Sequence, residues 1–120
     1  MSARKFQKAS IEDLVRWYEE GSVAYGQALD AADSRSANRA QDRVTGVYRE
    51  LRRRAATSLL LPLLHSKDEI IRSFVATHAL EFAPEHGEPV LLWLAARPGP
   101  NRTPALYALK AWREGALKFP

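Results

Sequence analysis

Seven arginines between positions 35 and 54 form the densest charged stretch of this 120-residue chain. Arg35, Arg39 and Arg43 recur every fourth residue, so on a helix they stack along one face, and Arg49 and Arg53 continue the segment. Like charges at that spacing repel by a few tenths of a kcal/mol (~0.2–0.5) per pair unless something neutralises them. An anionic partner would do so, either a phosphate backbone or an acidic protein surface. Internal acids would too, and Asp30, Asp42 and Glu50 lie close in sequence. Arg52, Arg53 and Arg54 also suit the last turn of a helix, where the dipole favours cations without any ligand. Aromatic residues for base stacking are nearly missing from the segment, and Tyr48 reads as core.

Other reactive side chains have bland explanations. His78 falls on an apolar face beside Phe74, Val75 and Phe82, none of which can ligate a metal, so it reads as a core histidine. His65 with Asp68 or Glu69, and His86 with Glu81 or Glu85, sit at helix ends, where capping explains them. Glu12, Asp13, Glu19 and Glu20 occupy the polar side of an amphipathic helix, the usual place for solvated carboxylates. Cysteine is absent, and the six glycines form no phosphate-cradling cluster. No catalytic residue, metal ligand or cofactor is therefore expected. Trp17 lies just off the apolar stripe of its helix, which makes it the expected exposed anchor for a partner.

The elements that position these residues are helices. Residues 1–10 are polar and basic and read as a flexible lead-in. Ser10 then caps a helix over about 11–32, with Ile11, Leu14, Val15, Tyr18, Ser22, Tyr25 and Leu29 at helical spacing. Asp33 or Ser34 caps a second helix carrying the arginines, whose apolar positions are Ala37, Ala40, Val44, Val47, Tyr48 and Leu51. The short connection makes the two an antiparallel pair over 11–54. After a turn around Arg54–Thr57, Leu59–Leu64 forms a short apolar helix kinked at Pro62. A helix capped by Ser66 or Asp68 runs to about Phe82, Glu88 and Pro89 open another through Ala96, and Thr103 with Pro104 opens the last, ended by Gly115. About six helices and no strand predict an all-α fold. Tight helix pairs arriving every 35–40 residues or so suggest a short α-solenoid.

Length and composition set the frame. A 13.5 kDa chain with 46% hydrophobic residues predicts one globular domain over 1–120, held by packing alone. No apolar run follows Arg4 and Lys5, and none is long enough to span a bilayer, so the expectation is a cytoplasmic protein without a membrane partner. The net charge of +4 is uneven: residues 1–60 hold 11 basic and 8 acidic side chains, residues 61–120 hold 7 and 6. A polyanion site, if there is one, belongs to the first half.

The segment LLPLLHSKDEIIRSFVATHAL resembles a HEAT-type repeat, with its proline-kinked first helix, turn aspartate (Asp68) and following arginine (Arg72). The resemblance implies that Asp68 and Arg72 belong to a structural ladder between neighbouring repeats, with HEAT-like repeats over 57–115. The motifs SIEDLV, ANRAQDRV, YRELR, ATHAL and ALKAWREG further make the chain similar to a small bacterial family classed as domain of unknown function 2019, whose members are HEAT-like. That family implies a fold and no established activity.

The functional expectation is a non-catalytic protein–protein interaction module, because solenoid repeats present long grooves for recognition. An immunity- or antitoxin-type partner is a candidate within that class by analogy, although the positive charge argues against a nuclease target. The alternative is a nucleic-acid-associated protein using Arg35, Arg39, Arg43, Arg49 and Arg53. The apolar ends of a short repeat array leave monomer and homodimer both open.

Overall fold

The computed structural model describes residues 3–120. Their order is α1 (Ala3–Lys8), α2 (Ile11–Asp30), α3 (Ser34–Arg53), a 3₁₀ segment (Thr57–His65), α4 (Glu69–Phe82), α5 (Pro84–Ala95) and α6 (Arg102–Arg113). The described residues are all-helical, with no strand, and they divide into two compact units, 1–59 with Pro120 and 60–119. The division falls inside the leucine run that follows the α2–α3 pair.

In the first unit α2 starts where the sequence predicts. Ser10 sits in extended backbone and its hydroxyl accepts the Asp13 amide at 3.0 Å. Asp33 caps α3 by accepting the Ser36 amide at 3.1 Å. The pair buries Leu14, Tyr18, Val44, Val47, Tyr48 and Leu51 completely. Leu29, expected on that stripe, is 50% exposed, because α2 ends one residue later.

Both helices stop in the same way. The amides of Ala32 and Asp33 donate to the carbonyls of Leu29 and Ala28, and those of Ala55 and Ala56 to the carbonyls of Arg52 and Leu51. This double bond pattern requires a left-handed residue, and Ala32 (φ 55°) and Ala55 (φ 56°) supply it without glycine. The end of α6 repeats the pattern with Gly115 (φ 70°).

The lead-in differs from expectation. Residues 3–8 are helical, and Phe6, its one large apolar side chain, is buried. Gly46 makes the space: a Cβ built there would come within 2.4 Å of the Phe6 ring. Met1 and Ser2 lie outside the described residues.

In the second unit α4, α5 and α6 pack in succession around Val75, Ala76, Ala79, Leu91, Leu94 and Ala105. Pro62 lies within a 3₁₀ segment rather than a kinked α-helix; proline has no amide for the α-helical bond to residue 58, and its ring crowds that carbonyl. Asp68 caps α4, its carboxylate accepting the Ile70 amide at 3.1 Å. α5 begins a turn earlier than predicted, since Pro84 takes the first helical position and Pro89 is carried inside. Gly87 lets α5 close on α4: a Cβ there would stand 2.5 Å from the Ala76 carbonyl oxygen.

Candidate functional site

The register of α3 does place Arg35, Arg39, Arg49 and Arg53 on one outward arc. Their surroundings differ sharply. Arg35 and Arg49 are exposed and no carboxylate pairs with them among the described residues. Arg39 donates to the Ser36 hydroxyl at 3.0 Å, and that hydroxyl donates to Asp33 at 2.6 Å. Hydrogen bonds from the Ser36 side chain and amide hold the Asp33 carboxyl below its usual range. Arg43 is half-buried and reaches Glu20 on α2 at 3.3 Å.

The end of α3 is a built ionic cluster. Glu50, only 6% exposed, accepts from Arg53 at 2.5 Å and from Arg54 at 2.7 Å. These bonds, Arg53 first, keep its carboxyl below the usual value although burial pushes the other way. Arg54 also donates to the carbonyls of Ala9 at 2.7 Å, Phe6 at 2.9 Å and Gln7 at 3.0 Å. It therefore closes the C-terminal end of α1 and ties it to α3. Arg54 acts as a structural clamp, and α1 seated on Gly46 divides the arginine arc into two parts.

Trp17 is the clearest change from expectation. Its ring lies 6.2 Å from that of Phe6, with the Lys5 ammonium 5.2 Å from its centroid, so α1 half-covers it. A flexible lead-in would leave Trp17 free, whereas the helical α1 brings Phe6 and Lys5 onto its ring. In the core behind it, burial pushes the Tyr18 phenol well above its usual pKa and keeps it neutral.

The exposed aromatic and aliphatic surface lies instead in the second unit. Of six large hydrophobic residues exposed among those described, Leu92, Trp93, Leu106 and Tyr107 belong to α5 and α6. Tyr107 is the most open at 69%. Leu92, Leu106, Leu109 and Lys110 line an open groove of about 500 Å³ between these helices. The spacing of Leu106, Leu109 and Trp112 predicts that all three face inward, but the buried stripe of α6 is Ala105, Ala108, Leu109 and Ala111, which turns Leu106 and Tyr107 outward.

Trp93 follows Leu92 on α5 and packs against two arginines. The guanidinium of Arg72 lies 4.5 Å from its ring centroid and that of Arg97 lies 4.2 Å away. Arg97 also approaches Glu69 at 3.7 Å. Asp68, expected with Arg72 in a ladder between neighbouring repeats, is the cap of α4. His78 is buried, 6.4 Å from Phe74 ring to ring, as its apolar face implied. His86 and Glu85 are both exposed, 3.9 Å apart.

These features define an all-α protein with a basic helix in its first unit and an aromatic, arginine-flanked surface in its second. No family model matches the chain, and no curated protein matches it. Among solved structures it is similar to the protein RPA1889 from Rhodopseudomonas palustris CGA009, with a TM-score of 0.88 and 21% identity over 95% of this chain and 97% of that one. At that identity the likeness concerns the fold.

Proposed function

We propose that the chain is a non-catalytic protein-binding module on a short HEAT-like scaffold, with the α5–α6 face as its binding surface. One observation carries the reading: four of the six exposed large hydrophobic residues, Leu92, Trp93, Leu106 and Tyr107, lie on α5 and α6, and Leu92 and Leu106 line the groove between these helices. Apolar clusters of this kind on a surface mark interaction sites far more often than scattered single residues do. Its occupant is an amphipathic helix of a protein partner, laid with its apolar side in the groove. Residues 84–118 carry five basic side chains (Arg97, Arg102, Lys110, Arg113, Lys118) against three acidic ones (Glu85, Glu88, Glu114), so the helix should be acidic on its polar side.

Selection from a displayed library of helical peptides tests this. Acidic amphipathic sequences should emerge, and Leu106→Glu with Tyr107→Glu should weaken their binding about tenfold or more. Selected peptides that bind the double variant as well as the parent would place the surface elsewhere.

A second reading is kept by Arg35 and Arg49, exposed and without acidic partners. They suit weak contact with a nucleic-acid backbone.

A further inference from the structure

We propose that Arg72, Trp93 and Arg97 form a carboxylate-recognition site, which reads an acidic side chain of the partner peptide. The inference rests on the protein-binding reading and adds the chemistry that selects the partner.

Three observations carry it. Both guanidinium groups pack against the Trp93 ring, at 4.5 and 4.2 Å, while the indole remains 40% exposed. A guanidinium held against an aromatic ring keeps its donors in its own plane, free for a two-pronged bond to a carboxylate. Arg72 has no carboxylate partner among the described residues, and its Nε is buried without a hydrogen bond. Stacking has therefore fixed a flexible side chain without using its donors, and binding needs little further ordering. Availability is the third point: Arg97 approaches Glu69 at 3.7 Å, whereas no ion pair engages Arg72 among the described residues, so the Arg72 guanidinium is the one open to a carboxylate. A nucleic-acid strand would find one fork here and no continuing row of cations.

The Arg72–Trp93 contact could also serve only to hold α4 against α5, so the test must separate binding from stability. The full chain is titrated by NMR with acetylated, amidated hexaglutamate, with its hexaglutamine counterpart, and with hexathymidylate. The Trp93 indole N–H and the methyls of Leu92 and Leu106 are followed, and melting temperature is measured in parallel. The expected result is a saturable shift of the Trp93 indole with hexaglutamate alone. Arg72→Gln should weaken it about tenfold, the scale of one charge-assisted bond. Arg72→Lys should keep the charge and the fold yet lose most of that affinity, because the fork is gone. A silent Trp93 indole, equal shifts with hexaglutamine, a stronger response to hexathymidylate, or unchanged affinity in both variants would overturn the site. The groove is judged separately: if a selected amphipathic helix moves the Leu92 and Leu106 methyls while hexaglutamate leaves Trp93 unmoved, protein binding stands and the carboxylate site falls. The opposite pattern removes the groove and keeps the site.

Discussion

Glu50 is the buried carboxylate among the described residues, and its two arginines do different jobs. Arg53 is 61% exposed and contributes a bond that water can largely replace. Arg54 is 20% exposed and spends its remaining donors on the end of α1. Glu50→Ala should therefore cost about 2 kcal/mol at neutral pH, the scale of losing hydrogen bonds to a charged group. The pH dependence has a definite sign. The native carboxyl titrates below its usual value of 4.5, so its stabilisation is complete above that value. It is lost as pH falls through the lower native value. Urea melts of the two proteins should differ at neutral pH and converge in acid; a constant gap would mean that packing, and not charge, makes the difference. Arginines at four-residue spacing made this helix stand out in the sequence, but their partners could not be read there. Glu20 and the carbonyls of Phe6, Gln7 and Ala9 reach them only through tertiary contact.

The helices and their order follow from apolar spacing and caps, whereas the close approaches between helices depend on residues far apart in sequence. α1 is the example: a lone phenylalanine among basic residues gives no periodic signal, and its burial depends on Gly46 forty positions later. Gly46→Ala sets a helix-propensity gain of about 1 kcal/mol against the clash with Phe6. The melting temperature should change little, while α1 leaves its seat and Trp17 becomes more open to quenching by iodide. Gly87→Ala offers no such compromise, since its new methyl meets backbone at Ala76 and the Cβ of Ala79 at 3.0 Å. A loss of about 1–3 kcal/mol is expected in denaturant melts. The left-handed caps predict the reverse effect. Ala32→Gly and Ala55→Gly should each stabilise by about 1 kcal/mol, relieving a Cβ that the conformation disfavours. A destabilised Ala55→Gly protein would show that chain entropy outweighs the strain.

Across the whole molecule, basic charge and exposed apolar surface are concentrated at different places. The seven arginines of 35–54 lie in the first unit, and Leu92, Trp93, Leu106 and Tyr107 in the second. Charge was legible as an excess, but only structure separates arginines that are engaged from those that are available. Arg43, Arg53 and Arg54 are engaged with carboxylates and Arg52 with the Pro120 carbonyl and the Tyr48 ring, which leaves Arg35, Arg39 and Arg49 to meet a polyanion. Three phosphate contacts release about 2.7 counterions, so affinity for duplex DNA should fall about 40-fold between about 50 and about 200 mM salt. Arg35→Glu with Arg39→Glu should flatten that slope by about two contacts and leave the melting temperature nearly unchanged, because neither side chain is buried. Fluorescence anisotropy with mixed-sequence DNA measures both. A parental drop of about a thousandfold would require roughly six contacts, about three more than Arg35, Arg39 and Arg49 supply, so engaged arginines such as Arg43 and Arg53 or basic residues outside α3 would have to join them. Nucleic acid would then displace the protein partner as the preferred ligand. A slope of two to three contacts keeps only the weak backbone contact of Arg35, Arg39 and Arg49, whereas no binding at the lower salt leaves the arginine arc a solvated helix face and returns the question of function to α5 and α6.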